Sequence, residues 1–178
     1  MVRRLFIFDE PDRFVAGTVG DPGERTFFLQ ARKGGALVSV ALEKAQVAAL
    51  ADRLAELLRV VEGDDATNLS APFDDRPLDE PLIDLFRVGA MALAWDPASE
   101  SVVIEAQPQS EDGDYVEVPD EAEDGPDLIR VRIEPGQARE FVRRASTLVD
   151  AGRPACPFCG QPIEPTGHFC ARTNSHLN

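Results

Sequence analysis

Twice in this chain a stretch alternating apolar and polar residues runs directly into a stretch with helical apolar spacing, and this pairing limits the possible folds more than any other feature. Leu37-Val38-Ser39-Val40-Ala41-Leu42 has the period of two expected of a half-buried strand. Behind it, Val47, Leu50, Leu54, Leu57, Leu58 and Val61 form one stripe of a helix. Further on, Ile129, Val131 and Ile133 alternate with Arg130, Arg132 and Glu134, and Ala138, Phe141, Val142, Ala145, Leu148 and Val149 make a second stripe. "LEKAQVAAL" lies over "IEPGQAREF", with Glu43 on Glu134, Gln46 on Gln137 and Leu50 on Phe141. Pro135 falls at a first helical position, where its missing N–H has no partner to lose.

A second correspondence lies upstream. Ile7-Phe8-Asp9 aligns with Leu82-Ile83-Asp84, Asp21-Pro22 with Asp96-Pro97, and Phe27, Leu29 and Ala31 with Val102, Ile104 and Ala106. Both segments read as hairpins with an Asp-Pro turn. The expected class is therefore α+β, with two similar β-hairpin-plus-helix halves, consistent with an internal duplication, followed by a small tail. The boundaries read as a first β-rich half over 1–61, a linker over 62–81, a second half over 82–152 and a tail over 153–178. The linker holds three prolines and reads as a surface crossing.

Charge is distributed unevenly. Nine acidic residues and no basic ones fall between Glu111 and Asp127; removing those nine from the net −14 leaves −5 for the rest. This acidic loop, 107–127, reads as a solvated excursion, or as a docking strip for a basic partner. Tyr115-Val116-Glu117-Val118 reads as a short strand within it. The acidic balance argues against a broad phosphate-backbone surface. Arg32-Lys33 and Arg143-Arg144 read as solvated pairs, Gly34-Gly35 as a hairpin turn, and Trp95 as packed or at a rim. No apolar run approaches membrane length, and the one after Arg3-Arg4 ends at Asp9-Glu10, too short for a signal peptide. The expected location is the cytoplasm, where clustered cysteines more often bind metal than form disulfides.

All three cysteines and both histidines lie within "CPFCGQPIEPTGHFCARTNSH". Cys156 and Cys159 have the spacing of a zinc knuckle, with Gly160 supplying a turn conformation that a Cβ resists. Cys170 is the third thiol. His168, two positions before it, would share its face of a strand, and His176 is the competing fourth ligand. Three cysteines and one histidine fill a tetrahedral site and leave no open position, which points to structural Zn2+. A redox pair is the other reading of C-P-x-C, but too little chain follows to build a thioredoxin-like fold. Residues 1–155 contain no thiol and no imidazole, so they offer neither Ser-His-Asp nor Cys-His chemistry, and no phosphate-binding glycine loop occurs.

At "FDEPDRFVAGTVGDPGERTFFLQARKGG", "VSVALEKAQVAALADRL" and "CPFCGQPIEPTGHFCAR" the chain resembles a conserved actinobacterial family built on a domain of unknown function. The resemblance spans nearly the whole chain. It implies a C-P-x-C-G and G-H-x-C metal tail in which His168 recurs and the position of His176 varies. It also implies genomic neighbours similar to phosphatidylinositol kinases and to histidine phosphatases. The expectation is a non-catalytic zinc-containing binding or regulatory protein whose partners are proteins, those neighbours among them. The alternatives are an enzyme or enzyme subunit using carboxylates and Arg in a cleft between the halves, and a binder of single-stranded nucleic acid.

Overall fold

The computed structural model describes residues 2–21, 24–63, 72–111, 113–152, 155–161, 163 and 168–172, together with the backbone of 175–177. Among these, β1 (Leu5–Asp9), β2 (Arg13–Val19), β3 (Thr26–Lys33) and β4 (Ala36–Leu42) lead into α1 (Lys44–Glu62). β5 (Asp84–Asp96), β6 (Ser101–Pro108) and β7 (Leu128–Ile133) lead into α2 (Pro135–Asp150), and a short hairpin of β8 (His168–Cys170) and β9 (Ser175–Leu177) follows. The class is α+β: one mixed seven-stranded sheet with two helices, plus a C-terminal cluster of three cysteines and a histidine. No described helix is long and apolar enough to cross a membrane.

The sheet order is β1-β7-β6-β5-β4-β3-β2, so its two outermost strands are consecutive in the chain. Laid flat at about 4.8 Å per strand, they would stand about 29 Å apart. The three residues between them, Glu10 to Asp12, reach only about 14 Å. The sheet must therefore curl until its edges approach. Lys33 on β3 reaches the Asp9 carbonyl across that approach. Two corners make the curl. At the first, Pro11 interrupts the ladder and Glu10 takes a positive φ of 50°, so β1 pairs in parallel with β7 while β2 pairs with β3. The expected single hairpin strand through Ile7–Asp9 is thus two strands in different ladders. At the second, Gly89 is an extra residue between the pairs Val88–Pro108 and Ala90–Gln107, and β5 bends there. Before the bulge β5 runs beside β4; after it, β5 pairs with β6.

The period-two residues line one face. Phe27, Leu29 and Ala31 on β3 and Val102, Ile104 and Ala106 on β6 are all buried in a single core. Val47, Leu50, Leu54 and Leu58 of α1 and Ala138, Phe141, Ala145 and Val149 of α2 complete it. Phe141 stacks on Phe14 with centroids 4.9 Å apart. α2 starts where its sequence predicts, at Pro135, and α1 starts at a capping contact. The Glu43 N–H donates to Gln46 Oε1 at 2.8 Å. Gly34-Gly35 forms the β3–β4 turn, with Gly34 at φ 56°.

The opposite face of β2 and β3 is covered by Pro72 to Pro81, a strap without regular structure. Leu78 lies where a Gly17 side chain would be, with Cδ2 at 2.4 Å from that Cβ position. Gln30 is buried and exchanges hydrogen bonds with the Asp79 backbone at 2.7 and 3.0 Å. The open edge of β2 is covered by α2, where Arg144 Nε donates to the Ala16 carbonyl at 2.6 Å. Arg144 is only 7% exposed, so the expectation of a solvated Arg143-Arg144 pair fails for it: a strand edge needed a donor.

The acidic loop also differs from expectation. Arg3 is buried and donates to the carbonyls of Val118, Pro119 and Pro126. Arg130 binds Asp120 at 2.7 and 3.0 Å, and Arg4 binds Asp127. The loop is pinned, because arginines on β7 and beside β1 offset its charge. Tyr115 to Val118 adopts no strand; Val116 instead exchanges hydrogen bonds with the Gln107 side chain.

Candidate metal centre

The centre starts with a tight turn after Ala155. The Gly160 N–H donates to the Cys156 carbonyl at 2.8 Å, and the Cys156 N–H donates to the Gln161 carbonyl at 2.8 Å. Gly160 sits at φ 75°, a region that glycine enters without steric cost. This closure turns Cys156 and Cys159 toward each other. β8 supplies the other two positions, because residues two apart on a strand share a face.

The donor atoms of Cys156, Cys159, His168 and Cys170 all lie within 4.8 Å of one another. Cys156 Sγ and Cys170 Sγ are 3.8 Å apart, and Cys159 Sγ is 3.1 Å from His168 Nε2. Ligands about 2.3 Å from a tetrahedral ion place two sulfurs about 3.8 Å apart. Cys156 and Cys170 are buried, and none of the three cysteines forms a disulfide. The cluster is consistent with a metal site such as zinc. His176 pairs with Phe169 in the β8–β9 register, the position between the two β8 donors; its side chain lies outside the described residues. Arg172 Nη1 donates to the Phe158 carbonyl at 3.1 Å and ties the hairpin to the knuckle.

The sequence pattern of a family of proteins of unknown function, DUF3090, matches residues 6–170, which covers both the curled sheet and the cysteine cluster. The chain belongs to the DUF3090 family. No curated protein and no solved structure matches it.

This DUF3090 chain also has an open cleft of about 1210 Å³, formed by the β1–β2 corner, the end of α1, the strap, the β5–β6 turn and the start of α2. The sequence marks Trp95, Glu134, Pro135 and Gln137 as parts of separate elements and not as a site, because the lining comes from five separate segments. Trp95 stands in its wall, partly buried and packed against the core. Its charged side chains are largely paired. Arg13 Nε and Nη2 bind the two oxygens of Asp74 at 2.7 and 3.0 Å, Arg139 binds Glu62, and Arg143 binds Glu140. Partial burial alone would raise the Asp74 pKa, but hydrogen bonds from Arg13 and Arg76 outweigh it and hold the carboxyl well below the usual range. A carboxylate fixed in its ionised form is a clamp rather than a proton-transfer group at neutral pH.

Proposed function

We propose that this protein is a non-catalytic binding or regulatory protein of the cytoplasm whose C-terminal Cys156, Cys159, His168 and Cys170 hold a structural Zn2+. The observation that carries this reading is where two aromatic side chains stand. Phe158, between the knuckle cysteines, is 49% exposed, and Phe169, between His168 and Cys170, is 56% exposed. A metal held by all four donors would fix both rings on one small rigid unit with no open coordination position. Exposed aromatics on a rigid support supply much of the affinity at protein interfaces.

The expected partners are the kinase-like and phosphatase-like neighbours implied by the family resemblance. Each would be purified and titrated against this protein. Phe158→Ala with Phe169→Ala should abolish binding while zinc content stays at one ion per chain. Unchanged affinity in that double variant would refute the role of these rings.

The cleft supports a second reading, an enzyme or enzyme subunit. Asp12, Glu100 and Glu134 line it alongside the clamped carboxylates. A cellular phenotype lost in Glu134→Gln or Glu100→Gln, with folding and partner binding intact, would favour that reading. The shared order of β2-β3-β4-α1 and β5-β6-β7-α2, with matching core positions on β3 and β6, supports an internal duplication as the origin of the two halves.

A further inference from the structure

The two edges of the curled sheet are treated differently. The edge of β2 is covered by α2 and Arg144, whereas among the described residues the edge of β1 is met by Lys33 of β3 at its last residue. The ladder with β7 shows which groups are left over. The Leu128 N–H donates to the Arg4 carbonyl and the Glu10 N–H to the Arg132 carbonyl, with Leu5 opposite Leu128 and Asp9 opposite Arg132. In a parallel ladder of this register, Phe6 and Phe8 spend their backbone groups on β7. The N–H and carbonyl groups of Leu5, Ile7 and Asp9 therefore point to the outer edge. Ile7 is 48% exposed, and β1 carries no proline, bulge or lysine of its own to discourage pairing.

The sequence around this edge reads Arg3-Arg4-Leu5-Phe6-Ile7-Phe8-Asp9-Glu10, basic at the start and acidic at the end. Such a segment is complementary to itself when turned end for end. An antiparallel pair can join outward-facing residues only to outward-facing residues, so the register is constrained. A centre at Ile7 sets Ile7 opposite Ile7 and Leu5 opposite Asp9, using all three outward positions. The same register sets Arg4 of one chain opposite Glu10 of the other, at both ends of the pair. Arg4 is 53% exposed and holds Asp127 through Nε and Nη2, so Glu10 of the second copy would be met by its Nη1.

We propose that β1 is the contact of a homodimer, in which the Leu5–Asp9 edge of one chain adds antiparallel to the same edge of a second copy about a two-fold axis at Ile7. The interface is isologous: one patch meets itself, as a two-fold axis requires. Main-chain hydrogen bonds provide attachment, and the Arg4–Glu10 pairs select a second copy in antiparallel orientation over other strands.

Sedimentation equilibrium of the full chain over about a hundredfold range of concentration tests this. The wild type should pass from one chain to two. Ile7→Pro should remain a single chain, because proline removes the outward N–H and leaves the β7 ladder intact. Its thermal midpoint at low concentration should match that of the wild type. Arg4→Glu alone and Glu10→Arg alone should each stay monomeric, and a mixture of the two should dimerise. A wild type that stays a single chain throughout, dimerisation of Ile7→Pro equal to wild type, or a mixture that fails to associate while the wild type does, would each overturn the proposal.

Discussion

Arg13 on β2 and Asp74 on the strap form a two-pronged ion pair, Nε to Oδ2 at 2.7 Å and Nη2 to Oδ1 at 3.0 Å, with Arg13 only 3% exposed. Arg13 also donates to the carbonyls of Arg76 and Pro77 at 2.9 Å, so one guanidinium fastens the strap to the sheet. Removing Asp74 would leave that guanidinium buried beside Arg144, with Asp79, 3.3 Å from Nη1, as its remaining carboxylate among the described residues. Asp74→Ala should therefore destabilise the fold by about 3–5 kcal/mol, read from denaturant midpoints. A loss below about 1 kcal/mol, the value of a surface pair, would show that the clamp is not a stabilising contact.

The same pair predicts an acid limb of stability. The folded pKa of Asp74 lies below its unfolded value of about 3.9. A depressed folded pKa stabilises above the unfolded value and loses that contribution as pH falls through the folded one. In urea titrations, wild type and Asp74→Asn should differ most near neutrality and converge as pH drops below about 4. A constant difference across that range would exclude Asp74 as the titrating group.

For the metal centre, atomic emission should find about one zinc per chain. Cys159→Ser and His168→Ala should each lose the ion, and His176→Ala should keep it. Zinc binding supplies local folding energy directly, so loss of metal should open the tail to proteolysis while the thermal transition of the sheet is retained. Metal kept in His168→Ala and lost in His176→Ala would reverse the ligand assignment.

Arg3 controls the acidic loop. Its guanidinium satisfies three carbonyls of the 118–126 segment, and Arg3→Met would leave them unpaired or force the loop away. The expected cost is about 1–3 kcal/mol, with faster protease cleavage between Glu111 and Asp124. Equal cleavage of Arg3→Met and wild type would show that Arg130 and Arg4 hold the loop without it.

Gly89 marks the second corner of the sheet. A Cβ there would lie 2.2 Å from Gln109 Cα and 2.7 Å from its backbone nitrogen. Backbone cannot step aside as a flexible side chain can, so Gly89→Ala should cost about 1–3 kcal/mol or more. Gly35→Ala, where nothing lies within 4 Å, should be nearly neutral by the same thermal melt.

Local pattern was enough for much of this protein. The period of two at Phe27, Leu29 and Ala31 and at Val102, Ile104 and Ala106, the apolar stripes of both helices, and the Pro135 start of α2 each depend on residues within one or two turns of each other, and all recur in the fold. The cluster of Cys156, Cys159, His168 and Cys170 was legible for the same reason: three of its four members are the only cysteines in the chain, and all four lie within fifteen consecutive positions. What the sequence could not disclose depends on pairings across the whole chain. β1 meets β7 over a separation of 123 residues, and nothing in Leu5–Asp9 specifies that neighbour. The buried arginines at 3, 13 and 144 look like ordinary surface charges in sequence, because burial of a guanidinium depends on carbonyls and carboxylates brought to it by other segments. Charge and period are properties of a segment, whereas a strand's partner and an ion's counter-charge are properties of the closed sheet. Only the curl that brings β1 back toward β2 settles them.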